Sequence, residues 1–133
     1  MDEILAYLTH VPAWYLATSE DGQPHVRPFS FAAKEDGKIW FVTATYKDVY
    51  EELVANPKME GCSWWVGHGW LVFSGEAVFG DVSEEMRVAA YEHLTGLGED
   101  HDGPDDPRLA FFYVDHMRAR IDDIDGSHRQ IEL

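Results

Sequence analysis

The sequence predicts a mainly β fold: a barrel of short hairpins with helices on its flanks. Three observations predict it. Runs rich in strand formers recur along the chain, separated by the turn signals "EDGQ" (20–23), "EDGK" (35–38) and "GHG" (67–69). Apolar residues at helical spacing occur in only a few short stretches. The chain has 133 residues, 45% of them hydrophobic, which fits one domain with a substantial core.

The elements follow in order. Residues 1–9 read as a helix with Ile4, Leu5 and Leu8 on one face, broken by Pro12. "AWYLATS" (13–19) reads as a strand, and "HVRPFSFAA" (25–33) as a second, demoted to an edge or a bulge by Pro28. "IWFVTA" (39–44) is the third. Tyr46, Val49, Tyr50, Leu53 and Val54 then repeat at helical spacing. Thr45 followed by Asp48 matches a capping box, so a helix is expected from Tyr46 to near Asn56, ahead of Pro57. "MEGCSWWVG" and "WLVFSGEAVFG" flank the "GHG" turn as a strand–turn–strand unit. Ser83 is the expected N-cap of a helix over 84–94, with Met86, Ala89, Ala90 and His93 on one side. Residues 95–107 read as a polar loop, 109–124 as a strand, and the last residues as a short strand.

The formal net charge is −15, which argues against nucleic acid and against anionic membranes, since both require a basic face. No run approaches the ~18 apolar residues of a membrane-spanning helix, and the acidic start "MDEILAYLTH" does not read as a signal peptide. Cys62 is the single cysteine, so no internal disulfide forms; a buried or interfacial place is expected for it, and a cytoplasmic protein fits. The seven histidines show no metal-ligand spacing, and no metal is expected. "EDHDGPDDP" lacks the spacing of a calcium loop and reads as solvated. Aromatic residues make up 14% of the chain, an excess that a flat ligand or a subunit interface would use.

One junction stands out. In "FVTATYKDVYEELVANP" (41–57) a strand gives way to a helix, and Thr43, Thr45 and Lys47 gather there. A helix N-terminus carries unpaired N–H groups and partial positive charge, a seat for phosphate. Lys47 is unfavourable in the first helical turn unless an anion lies beside it; the alternative is a solvated pair with Glu51. Arg27 sits on the preceding predicted strand. If the strands around 27 and 42 pair, Arg27 and Lys47 form a two-cation phosphate clamp; otherwise Arg27 is a solvated strand residue.

"DGQPHVRPFSF", "DGKIWFVTATYKDVYEELVANPKME" and "GWLVFSGEAVF" together resemble the pyridoxamine 5′-phosphate oxidase-like, FMN-binding split-barrel superfamily, and within it the general stress protein 26 or flavin-nucleotide-binding branch. The order RPF, T-x-T-x-x-K, NP and W…SGEA carries the resemblance. It implies a six-stranded split β-barrel homodimer with FMN at the subunit interface. Arg27 and Lys47 would hold the FMN phosphate. Pro28, Phe29 and Ser30 would run along the flavin edge; Val42, Thr43, Thr45 and Tyr46 match further cofactor-binding positions; Trp70 would face the flavin of the other subunit.

Two departures bear on activity. The oxidase has a substrate-contacting lysine where this chain has Ala32, and its C-terminal tryptophan–arginine segment has no counterpart in "SHRQIEL". Oxidation of pyridoxamine phosphate itself is therefore not expected. The expectation is an FMN-dependent oxidoreductase of unknown small-molecule substrate or electron carrier, with no catalytic acid or base identified. The alternatives are a non-catalytic flavin-binding or stress-related module, or a split barrel that takes haem or a deazaflavin. Trp64 and Trp65 read as packing or as flavin walls, and His68 as a turn residue or a flavin neighbour.

Overall fold

The computed structural model describes residues 1–133. The elements are α1 (Asp2–Thr9), β1 (Trp14–Glu20), β2 (Gln23–Phe29), β3 (Ala33–Glu35), β4 (Lys38–Ala44), α2 (Asp48–Ala55), β5 (Lys58–Trp65), β6 (Gly69–Gly80), α3 (Glu84–Gly96), β7 (Leu109–Asp122) and β8 (His128–Gln130). Six of these strands have seven residues or more, as the split-barrel expectation requires; β3 and β8, of three residues each, are additional.

The strands form one antiparallel sheet in the order β2-β1-β5-β6-β7-β4-β3, with β8 on β7. β2 and β3 are neighbours in sequence but stand at opposite ends of that path. Residues 30–32 alone join them, and four Cα–Cα steps reach at most about 14 Å. The sheet must therefore curl until its two ends face each other. It remains an open barrel with a split, not a closed one.

This topology corrects two expectations. β2 pairs with β1, while β4 pairs with β3 and β7, so the strands around 27 and 42 do not pair. They approach across the split instead. The continuous strand expected over 25–33 also breaks after Phe29. The ladder ends at Phe29 opposite Trp14, because β1 begins at Trp14 and offers no partner beyond it.

Inside the curl lies a core cluster of 17 buried residues. Trp14 of β1 meets Phe41 of β4 at 4.9 Å and Phe73 of β6 at 5.5 Å between ring centroids, which ties opposite walls together. Burial of each such side chain stabilises the fold by about 1.5–3 kcal/mol. Ile4, Tyr7 and Leu8 of α1 are buried in this core and Leu5 packs against it partly buried, so Tyr7 joins the expected face. Gly61 of β5 is required by a close approach: a Cβ there would lie 2.5 Å from the Phe73 ring. A second cluster of eight lies under α3, where Met86, Ala90 and Leu94 pack on Phe31, Trp40, Val42, Leu109 and Phe111.

Helix starts divide into one agreement and one correction. The Ser83 hydroxyl accepts the Met86 N–H at 3.1 Å and caps α3 as expected. α2, however, begins at Asp48 with Lys47 as an extended N-cap residue that makes no side-chain cap bond. Thr45 is not the cap: it lies in the turn between β4 and α2, and its N–H donates to the Arg108 carbonyl at 2.8 Å. Cys62 is exposed on the single chain, which removes the buried half of its expectation and leaves the interfacial one; partial burial, and next the Glu60 charge, push its thiol pKa up.

Candidate functional site

The split between β2 and β4 opens into a cavity of about 300 Å³. Residues 27–31 form one wall as the chain crosses the split; Val42, Thr43 and Ala44 of β4 form the other. Lys47 and Val49 close it from the start of α2, and Leu94, Leu97 and Glu99 from the end of α3. A more polar cavity of about 550 Å³ adjoins it and shares Arg27, Lys47 and Val49. Arg27 and Lys47 thus stand on the boundary between an apolar hollow and a polar one.

Arg27 is pointed by its neighbours. Its guanidinium donates to Thr18 Oγ1 at 2.9 Å and to the Glu52 carboxylate of α2. Glu52 is 5% exposed and also accepts the Thr18 hydroxyl. Burial pushes the Glu52 carboxyl up, but the hydrogen bonds from Thr18 and Arg27 and the Arg27 charge outweigh it, so its pKa lies below the ordinary value. Lys47 Nζ donates to Glu99 Oε1 at 2.7 Å, not to the expected Glu51.

Thr43 is 3% exposed, and its hydroxyl has no hydrogen-bond partner. A buried, unpaired hydroxyl is costly, and this one borders the cavity. Ser30 Oγ lies 2.8 Å from His93 Nε2, and the His93 ring meets the edge of Phe31 at 5.6 Å. Phe31 and His93 were missed by the sequence reading: Phe31 was read as mid-strand, and His93 was assigned only to a helix face.

The remaining residues singled out in the sequence lie elsewhere. Thr45 is exposed and borders a separate groove with Tyr50 and Arg87. Tyr46 is 56% exposed and its hydroxyl meets His101 Nε2 at 3.0 Å. Trp70 borders a third, polar cavity with Arg120 and Asp122. His68 is a turn residue stacked on Trp65 at 3.7 Å, and Trp65 also packs on His10 and Tyr7. Trp64 is 66% exposed.

Two further groups depart from the sequence reading. Glu20, His25 and Glu52 bring possible metal-ligand atoms within 4.8 Å of one another from three elements, a grouping invisible in linear spacing. Glu52 in that group already balances Arg27. The loop over 95–107 is not simply solvated. Asp106 is 2% exposed and accepts the N–H groups of Asp102 and Arg108 and the Arg108 guanidinium at 2.7–2.9 Å, which hold its carboxyl well below the usual range.

A 1.80 Å structure of a NimC/NimA family protein from Clostridium acetobutylicum is similar over 100% of this chain and 92% of its own, at 28% identity and a TM-score of 0.85. General stress protein 26 from Bacillus anthracis is similar over 98% and 97%, at 14% identity and TM-score 0.70. A pyridoxamine 5′-phosphate oxidase-related, FMN-binding protein from Nostoc punctiforme is similar over 99% and 91%, at 14% identity and TM-score 0.61. No curated protein matches the chain. The pyridoxamine 5′-phosphate oxidase family model matches residues 1–121. With its split, open β-barrel and its cavity between β2 and β4, the chain belongs to the pyridoxamine 5′-phosphate oxidase-like family.

Proposed function

We propose that the cavity between β2 and β4 binds FMN and that the protein is a flavin-dependent oxidoreductase acting on a small molecule. The observation that carries this reading is the meeting of Arg27 and Lys47 at the rim of one apolar cavity, which Thr43 of β4 also lines. Together with the adjoining polar cavity, the volume lies within the range of small-molecule sites. The donor set suits a phosphorylated, partly flat ligand. Arg27 and Lys47 would hold the phosphate, the backbone of Pro28, Phe29 and Ser30 would meet the ring edge, and Val42, Thr43 and Phe31 would wall the ring. Thr45 and Tyr46 would act from outside the cavity, by fixing the backbone that carries Lys47.

When bound, a flavin supplies hydride and electron transfer. The chain's own residues anchor it, exclude water with Leu94 and Leu97, and offer the Ser30–His93 pair as a proton-holding group beside the cavity. In this proposal one domain serves as half of a cytoplasmic homodimer, and Trp70 reaches the flavin of the second copy. The outer face of β1, β5 and β6 fits such a partner: Tyr15, Cys62 and Val72 are in register across the strands, next to the Trp64–Trp70 pair.

Titration with FMN tests the reading. Arg27→Ala and Lys47→Ala are each expected to weaken binding by about 1.5–3 kcal/mol, the worth of a charge-assisted hydrogen bond. Binding of riboflavin, which has no phosphate, should change little. Unchanged FMN affinity in both variants would refute the assignment. Bleaching of the bound flavin by NADH or NADPH, with recovery in air, would separate turnover from mere binding.

A further inference from the structure

Both cations at the rim already hold a carboxylate, and the two pairs differ in kind. Arg27 is tied to Glu52, with side chains 20% and 5% exposed, and Thr18 adds a second bond to the same oxygen. Separating that pair would strand a charge inside the fold between β2 and α2. Lys47 is tied to Glu99, with side chains 38% and 31% exposed. An ion pair so open to water contributes little and exchanges readily.

Glu99 reaches Lys47 from a fixed backbone. α3 ends in a left-handed cap: Gly98 has φ of 87°, its N–H donates to the Thr95 carbonyl at 3.0 Å, and the Glu99 N–H donates to the Leu94 carbonyl at 3.0 Å. Leu94 and Leu97 of the same helix end line the cavity. The cap therefore fixes the Glu99 Cα at the cavity mouth while its side-chain torsions stay free. The result is a short tethered anion resting on one cation of the rim.

We propose that Glu99 is a built-in competitor for the ligand's phosphate: it occupies Lys47 in the free protein and yields it when a phosphorylated ligand arrives. The inference rests on the assignment of the cavity to a flavin mononucleotide. A phosphate that approaches Lys47 meets the Glu99 carboxylate, and like charges at that distance repel. Glu99 swings into solvent; Glu52 stays, because its partners are buried. The incoming phosphate thus displaces one carboxylate, not two. A ligand without a phosphate has no reason to displace either. Glu99 in this way lowers affinity for the phosphorylated ligand and keeps the lysine paired when the cavity is free.

Flavin fluorescence titrations with FMN and with riboflavin test this on the wild type, E99Q, K47A and the K47A/E99Q double variant. E99Q is expected to bind FMN about fivefold more tightly, the scale of an exposed ion pair. Riboflavin affinity should not move, and the gain should vanish in the K47A background. If K47A weakens FMN binding but E99Q leaves it equal or weaker, the competitor role is overturned while the cavity assignment stands. If E99Q tightens FMN and riboflavin alike, Glu99 acts as a cover and the competitor role is again overturned. If none of the four proteins binds FMN, the assignment fails and the inference fails with it.

Discussion

The Thr43 hydroxyl is the most informative single group in the molecule. It is buried in a strand whose six residues after Lys38 are all buried, yet it finds no partner. An unsatisfied hydroxyl costs about 1–3 kcal/mol, so an apolar replacement of similar shape should be neutral or favourable for the free protein. Thr43→Val is expected to leave unfolding midpoints unchanged or raised by about 1 kcal/mol in stability. The same change should weaken FMN binding. A clear loss of stability in thermal melts would show that the hydroxyl has a structural partner and is not held for a ligand. Arg27 and Glu52 show the opposite arrangement at the same scale, since the Arg27 guanidinium, the Thr18 hydroxyl and one Glu52 oxygen bond one another.

At the scale of elements, the break between β2 and β3 has the largest consequence. A continuous strand would carry Phe29 and Phe31 along one sheet edge. Because β1 ends the ladder at Trp14, residues 30–32 leave the sheet and cross the split. Ser30 and Phe31 then face the end of α3, where His93 meets both. The outer face of β5 carries a second element-level message. Its buried and exposed residues alternate, and the exposed positions include Cys62 and Trp64, beside Tyr15 of β1 at 48% exposure. An apolar row on a sheet face favours a partner surface. The wild type is expected to be a dimer by light scattering, and Trp64→Asp a folded monomer. A monomeric wild type, or a dimer that survives this substitution, would remove the second copy from the account.

At the scale of the whole molecule, acid stability follows from a few carboxylates rather than from the net charge of −15. Glu52 and Asp106 both have folded-state pKa values below their ordinary values of 4.5 and 3.8. A depressed carboxylate pKa contributes stability above the unfolded value, and that contribution is lost as pH falls through the folded one. Urea midpoints should therefore hold from pH 7 to about pH 5 and fall below about pH 4.5. Relief of self-repulsion acts in the other direction, but moderate salt screens it. In ~0.2 M salt, Glu52→Gln and Asp106→Asn should each lower the midpoint at pH 7 and flatten its fall in acid. An equally steep fall in the variants would assign the acid transition to other groups.

Much of the fold was legible from local pattern. Turn signals, strand formers and the Ser83 cap report on neighbours a few residues apart, and the chain obeys them. Lys47 stood out in the sequence because a cation at a strand–helix junction is locally unfavourable, and Arg27 through an expected pairing of the strands around 27 and 42 that does not form. Sequence could not show that the strands carrying residues 27 and 42 meet across a split rather than by pairing, because strand order depends on contacts between distant segments. Nor could it reveal that Thr43 is unpaired, or that Glu52 and Glu99 each hold one cation; those depend on which walls the curl of the sheet brings together. Local sequence determined the elements and the two cations. Tertiary structure decided the cavity and the carboxylates that pair with those cations, because both arise only where β2, β4, α2 and α3 converge.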